Sequence, residues 1–338
     1  MNIYVSSLDF DGCLSRGSYN TLTDFFSANK SLIDFIKQAA IDTKHTIFVG
    51  SNRQSISLDL ENAALTNSGS CFTAIQHISH QLLAEFDHFS LGDIYLNLNP
   101  GQSIRSFLEV ADEIGLGKSA LLTQAEIFKF HIHAKIHPLS VNSAQFIDPN
   151  KINLLYAQMH KISSENKADD SSSFNFFDDR DDILTGISGF FKKNLDLIPR
   201  NVTLNLHQYS GPECFNQKEV LLGSGVADPD YAKTVTHLGN IGRTGRGRDG
   251  LNIAFHFTPE KLEDQRQGRR TTQLDTSPSF FKTFENITVT GAKDERSPTS
   301  PAQFILPALP NALAMSWRKK KTPSTPDEGS LSTPSKSS

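Results

Sequence analysis

Short apolar segments that are typical of buried strands alternate with segments of helical periodicity along much of the chain. Residues 3–8 (Ile-Tyr-Val-Ser-Ser-Leu) and 46–50 (Thr-Ile-Phe-Val-Gly) each predict a strand, and residues 29–40 between them place apolar side chains at helical spacing. This β-α-β order favours an α/β fold, with a doubly wound, mainly parallel sheet and helices on both faces. Ligands of such sheets bind just beyond the carboxyl ends of the strands.

The same alternation returns in the second half of the chain. Residues 151–162 predict a helix behind the capping residues Asp148-Pro149-Asn150, and the aromatic segment 174–177 predicts a strand. Residues 183–195 then predict a helix and residues 202–206 another strand. Two distant parts of the chain are therefore expected to contribute strands to one sheet.

Composition divides the chain into four regions. We expect a catalytic core from residues 1–53 and 128–210, interrupted by a mostly helical insert at 54–127. Residues 211–292 form a C-terminal extension with a weak pattern. Residues 293–338 are rich in Pro and Ser and predict a disordered tail, since such a composition buries too little apolar surface to order itself.

Charge and cysteine content exclude several classes of protein. The 33 Lys and Arg against 37 Asp and Glu give a net charge of −4, which argues against general nucleic-acid binding. The three cysteines are widely spaced and lack a CxxC pair, so neither a disulfide framework nor a zinc site is expected. No apolar run is long enough to predict a membrane span. We therefore expect a cytoplasmic protein.

Two acids follow the first predicted strand directly. Asp9 and Asp11 are separated by one residue and precede the turn-forming Gly12. A carboxylate at the end of a strand can attack phosphorus, while the second, displaced by the turn, can handle the proton of the leaving group. A carboxylate nucleophile needs a cation to hold a phosphate dianion, so further acids are expected nearby.

Residues 178–182 (Asp-Asp-Arg-Asp-Asp) supply these acids directly after the aromatic strand. Ser51 follows the strand at 46–50 and can donate a hydrogen bond to a phosphoryl oxygen. Lys151 begins a predicted helix and can neutralise phosphate, with Lys135 in a preceding strand-like segment as its competitor. Each residue alone has an ordinary explanation, as a helix cap or a solvated side chain. Their order after successive strands favours a site.

In this order the residues resemble the motifs of the haloacid dehalogenase superfamily of phosphohydrolases, whose core is Rossmann-like. The resemblance implies that Asp9 forms an aspartyl-phosphate, that Asp11 is the general acid and base, and that Ser51 and Lys151 orient and neutralise phosphate. It also implies a Mg²⁺ cofactor and a cap made by the insert. The implied metal ligands are Asp9, Asp11, Asp178, Asp179 and Asp182. One bridging Mg²⁺ would require carboxylates of Asp9 and Asp178 to lie within about 5 Å of each other.

Other interpretations stay open at this point. The chain can be a catalytically weak binding module or a phosphotransferase instead of a phosphatase. His131, His133 and His137 can share one side of a strand, and the Gly- and Arg-rich residues 239–250 can form an anion clamp. The tail is similar to those of effectors that intracellular bacteria such as Legionella export through type IV secretion. It can dock a partner or a secretion machinery, so export into a host cell is also possible.

Overall fold

The computed structural model of the protein describes residues 2–113 and 151–238, except for positions 18, 20, 67–68, 96–97 and 168–169, together with residues 242–243 and 253–254. The predicted strand that contains Lys135 and the three histidines lies outside the described residues, as do most of residues 239–250 and the whole tail from residue 293.

Six strands form one mostly parallel sheet within the described residues. Its spatial order is β3-β2-β1-β4-β5-β6, and only β6 runs antiparallel to its neighbour. The strands are β1 (Asn2–Leu8), β2 (Lys44–Val49), β3 (Glu85–Phe86), β4 (Ser171–Asp178), β5 (Val202–Tyr209) and β6 (Phe215–Leu222). A short separate hairpin pairs β7 (Gly242–Arg243) with β8 (Ile253–Ala254). The predicted α/β class with a mainly parallel sheet is confirmed.

Helices cover both faces of this sheet because its central strands are apolar on both sides. Tyr4 and Leu8 of β1 belong to one hydrophobic cluster, whereas Ile3 and Val5 belong to the other, as the period of two in a strand requires. The first cluster is covered by α1 (Leu22–Ala28), α2 (Lys30–Ala39), α3 (Ile56–Thr66), α4 (Cys71–Leu82) and α6 (Gln102–Glu113). The second is covered by α5 (Leu91–Tyr95), α7 (Ile152–Glu165), α8 (Asp181–Lys193) and α9 (Tyr231–Leu238).

Part of the predicted insert at 54–127 belongs to the sheet layer. The two residues of β3 pair in parallel with β2, and α4, which precedes β3, buries Phe72, Ile75 and Ile78 in the cluster below the sheet. Residues 71–86 are therefore part of the sheet and of the helical layer that covers it, and the cap expected from residues 54–127 stays a prediction. The described helices α3, α5 and α6 agree with the helical character expected there, while residues 114–127 lie outside the description.

The sheet also extends beyond residue 210, where the predicted core ended. β6 pairs with β5 over Thr203 to Tyr209, and Val235 of α9 is fully buried in the second hydrophobic cluster. The three cysteines are free thiols. Among the described residues, no helix combines the length and apolarity that crossing a bilayer requires.

Candidate active site

The carboxyl ends of the three neighbouring strands β2, β1 and β4 are level with one another. Leu8 pairs with Val49 on one side and with Phe177 on the other. The backbone N–H of Asp9 donates to the carbonyl of Phe177 at 2.9 Å, and the N–H of Gly50 donates to that of Leu8 at 2.7 Å. The side chains that follow these strands therefore emerge at one edge of the sheet, as parallel pairing requires.

The turn after β1 depends on Gly12. Its backbone has a φ of +83°, which favours glycine, and a Cβ atom at this position would lie 2.4 Å from Oδ2 of Asp179. The turn closes through backbone hydrogen bonds from Gly12 to Ser15 and from Ser15 to Phe10. Because Gly12 lacks a side chain, the loop that carries Asp9 and Asp11 passes directly against the Asp179 carboxylate.

Lys151 reaches this edge from the start of α7. Its side chain is only 2% exposed, and its Nζ donates to Oδ1 of Asp9 at 2.7 Å and to Oδ2 of Asp178 at 2.6 Å. Its backbone is left-handed, with a φ of 55°. The same ammonium lies 5.3 Å from the centre of the Phe176 ring. Lys151 thus bridges two acids that follow different strands.

Three acids form a compact cluster around this ammonium. One carboxylate oxygen from each of Asp9, Asp178 and Asp179 lies within 4.8 Å of the other two, which satisfies the separation expected for a shared divalent ion. Oδ1 of Asp178, the oxygen that does not bind Lys151, accepts from the backbone N–H of Arg180 at 2.8 Å. Oδ1 of Asp179 is buried without a hydrogen-bond partner. A buried carboxylate oxygen without a partner is what a hard cation with oxygen ligands needs, so these residues fit Mg²⁺.

Burial and mutual repulsion perturb the acids of this cluster. Burial raises the pKa of Asp9 to about 8, with Asp178 adding to the rise and Lys151 opposing it. Burial and Asp178 raise the pKa of Asp179 to about 6. Burial alone would lower the pKa of Lys151, but the charges of Asp178 and Asp9 outweigh it and raise that pKa. One ammonium does not balance three carboxylates, so the cluster favours an additional positive charge.

Ser51 lies at the same edge, directly after β2. Its side chain is 1% exposed, and its Oγ accepts a long hydrogen bond of 3.4 Å from the backbone N–H of Arg53. Its carbonyl accepts from the side chain of Gln54 at 2.6 Å. The serine is therefore placed as the sequence predicts, with its hydroxyl hydrogen able to donate.

Asp11 is not part of the acid cluster, in contrast to its predicted role as a metal ligand. Both of its carboxylate oxygens accept hydrogen bonds from Arg53, Oδ2 from Nε at 2.9 Å and Oδ1 from Nη2. Such forked pairs of charge-assisted hydrogen bonds are stronger and more directional than neutral hydrogen bonds. This pairing holds Asp11 beside the cluster instead of within it.

Asp182 is also outside the cluster, although it was predicted as a ligand. Helix α8 begins at Asp181, so Asp182 lies in its first turn, where its side chain is 69% exposed and pairs with Arg180. An acid at a helix start is stabilised by the helix dipole without any metal. Of the predicted ligands, the structure therefore brings together Asp9, Asp178 and Asp179.

Arg53 is the residue at this edge that sequence reasoning missed. It is 2% exposed and binds Asp11, Asp59 and the carbonyl of Gly69. Its position two residues after Ser51 was a usable signal, because it lies close to the predicted edge of acids and a buried carboxylate is stabilised by a buried cation.

The chain matches no protein-family model, and no curated protein or solved structure is significantly similar to it. The fold and the site thus define the protein as an α/β protein with an acidic, lysine-bridged cluster at the carboxyl edge of its parallel strands.

Proposed function

We propose that the protein is a Mg²⁺-dependent phosphohydrolase of the haloacid dehalogenase type. The observation that carries this proposal is the cluster of Asp9, Lys151, Asp178 and Asp179, which unites three distant segments of the chain around one buried ammonium. The strand order 3-2-1-4-5-6 supports it, since this is the order of doubly wound Rossmann folds, which bind ligands where the winding reverses. Here that point lies between β1 and β4, where Asp9 and Asp178 meet.

In the first step, a carboxylate oxygen of Asp9 attacks the phosphorus atom of a phosphate monoester. The bond from phosphorus to the ester oxygen breaks, and Asp11 gives a proton to the departing alkoxide. In the second step, Asp11 takes a proton from water, whose oxygen attacks phosphorus and displaces the Asp9 carboxylate. The products are an alcohol and inorganic phosphate, and both aspartates return to their starting states.

The remaining residues provide charge and orientation. Lys151 offsets the negative charges of Asp9 and of the phosphoryl oxygens that approach it, while the Ser51 hydroxyl can donate to one of those oxygens. Asp9, Asp178 and Asp179 would hold Mg²⁺, which when bound neutralises the repulsion between phosphate and the attacking carboxylate. The high pKa of Asp9 makes this neutralisation important, because only the deprotonated carboxylate attacks.

Asp11 has to move for this chemistry. Both of its oxygens accept hydrogen bonds from Arg53, so neither is free to carry a proton to the leaving group. At least one of these hydrogen bonds breaks in the proposed cycle. Because both oxygens accept from Arg53 here, Asp11 also has to take up a proton before it can act as the acid.

Hydrolysis of 4-nitrophenyl phosphate with and without Mg²⁺ tests the proposal. We expect Mg²⁺-dependent turnover by the wild type, at least a hundredfold loss in Asp9→Asn, and little change in Asp182→Asn, the matched control on an exposed aspartate. Intact-protein mass spectrometry after an acid quench should detect a phosphorylated wild type and an unmodified Asp9→Asn variant. Equal rates for these two proteins would refute the nucleophile.

The same assay separates the alternative functions. A phosphotransferase would form phosphorylated alcohol at the expense of inorganic phosphate when glycerol is added. A binding module would bind Mg²⁺ and phosphate without turnover of any ester in a broad panel.

A further inference from the structure

A buried chain of ion pairs and hydrogen bonds connects the proposed proton donor, Asp11, to the start of α4. Arg53 occupies its centre, and its guanidinium uses one side for Asp11 and the other for Asp59 and the Gly69 carbonyl, at 3.2 Å and 2.8 Å respectively. The guanidinium also lies 4.9 Å from the centre of the Phe10 ring. Arg53 thus joins Asp11, in the loop after β1, to Asp59 of α3 and to the loop before α4.

Asp59 is itself firmly held. It is fully buried, and its oxygens accept from the backbone N–H of Cys71 at 2.8 Å and from the hydroxyl of Ser70. Ser70 is the N-cap of α4, so the Asp59 charge lies at the positive end of that helix. Asp59 is therefore a fixed anchor for the Arg53 side chain.

We propose that Asp59 is a positioning residue for the proposed proton transfer, acting through Arg53 on Asp11. The inference rests on the proposed function. When the Asp11 carboxylate turns toward the leaving group, Arg53 loses its partners on that side. Without Asp59, the buried guanidinium would then have lost both of the carboxylates it pairs with in the described part of the chain, which is strongly unfavourable. Asp59 keeps Arg53 paired and in place while Asp11 moves, and returns Asp11 to the same position afterwards.

This role predicts a specific kinetic signature. A general acid matters most when the leaving group is a poor one, such as an alkoxide, and little when it departs unaided, as 2,4-dinitrophenolate does. The constant kcat/KM reports steps up to departure of the leaving group, so it isolates the step in which Asp11 acts as an acid. Damage to positioning should therefore lower kcat/KM for alkyl phosphates far more than for 2,4-dinitrophenyl phosphate.

The experiment measures kcat/KM for both classes of ester in the full chain and in Asp59→Asn, a substitution that preserves size. We expect a loss of about tenfold to a hundredfold with an alkyl phosphate and less than about threefold with 2,4-dinitrophenyl phosphate. In an Asp11→Asn background, Asp59→Asn should have no further effect, because the two residues act in one path. Equal losses with both esters, or additive losses in the double variant, would overturn the inference.

Two further variants complete the design. Asp93→Asn is the matched control, because Asp93 is also fully buried but accepts from the backbone of Ser103 instead of binding Arg53. Asp93→Asn should change kcat/KM for both esters by the same factor. If Asp59→Asn does not fold, Ser70→Ala takes its place, because it removes one hydrogen bond to Asp59. It should lower kcat/KM for the alkyl phosphate more than for 2,4-dinitrophenyl phosphate, by a smaller factor than Asp59→Asn. Equal losses of kcat/KM with the two esters would again overturn the inference. A wild type without turnover would instead refute the proposed function.

Discussion

Replacing Lys151 by Met tests how the acid cluster is stabilised. The Lys151 ammonium lies 2.7 Å and 2.6 Å from oxygens of Asp9 and Asp178, and all three side chains are almost completely buried. Met fills the space of the lysine stem without its charge. The variant therefore leaves two buried carboxylates facing each other with no ammonium between them.

The expected loss follows from the geometry. Removing one partner of a buried pair costs about 3–5 kcal/mol, and the lower end applies here because Asp9, whose pKa burial raises to about 8, is already largely protonated near neutral pH, which limits its repulsion with Asp178. For a domain of this size, about 3 kcal/mol corresponds to a fall in Tm of roughly 6–12 °C.

Urea unfolding in EDTA, followed by circular dichroism, measures the free energy of unfolding for both proteins. Adding Mg²⁺ should recover more stability in Lys151→Met than in the wild type, since the variant lacks the ammonium that competes with the cation for oxygens of Asp9 and Asp178. Lys30→Met, which removes an exposed lysine paired with Asp34, is the control and should change little. A loss below about 1 kcal/mol in Lys151→Met would refute this account of the cluster.

Three further outcomes are expected. Gly12→Ala should lower the Mg²⁺ affinity, and it should lower the free energy of unfolding by about 1–3 kcal/mol. The reasons are that the added methyl group would meet the Asp179 carboxylate and that the backbone at this position is left-handed. Unchanged Mg²⁺ binding by calorimetry and unchanged stability would contradict this. Burial lowers the pKa of His207 from 6.5 to about 4, so between these pH values the unfolded chain binds the proton and the folded protein does not. The free energy of unfolding should therefore fall by about 3 kcal/mol as the pH is lowered from 6.5 to 4. Urea titrations at several pH values should show a shallower slope in His207→Gln, and an identical slope would exclude His207 as its source. Titration calorimetry should give weaker Mg²⁺ binding for Asp179→Asn but unchanged binding for Asp182→Asn; a loss in the latter would restore Asp182 as a ligand.

The location of Asp9 and Asp178 was predictable, because an acid directly after a strongly apolar strand is expected at the carboxyl edge of the sheet. Asp9 and Asp178 follow such strands, and parallel pairing of β1 with β4 brings them to the same level. The pairing itself was an inference from alternation, not from any contact visible in the sequence. Their location was thus accessible, while their chemistry stays a proposal.

Lys151 and Arg53 show where sequence reasoning reaches its limit. The hydrogen bond from Lys151 to Asp9 spans 142 positions in the chain, and no local pattern distinguishes this lysine from a solvated one. Arg53 joins Asp11 across 42 positions. These pairs form because charges that are buried together in the folded protein have to be neutralised. Which charges are buried together depends on how the strands pair, and no local pattern in the sequence reports it.

Local sequence rules do not reach features that the tertiary context decides. The resemblance implied Asp182 as a metal ligand, whereas at the start of α8 its side chain is exposed and pairs with Arg180. β3 has two residues, too few for a period of two to be visible. β6 is an edge strand whose side chains are mostly exposed, so its sequence lacks the apolar run of a central strand.

The central place of β1 has a consequence for synthesis on the ribosome. One edge of β1 pairs with β2, which ends at Val49, but the other waits for β4, which ends at Asp178. At about 5–20 residues per second, that second partner follows β1 by roughly 10–30 s. During this interval an apolar strand keeps an unpaired edge, a known template for pairing with other chains. Nascent chains that stop before residue 171 should therefore depend on chaperones far more than the finished protein does.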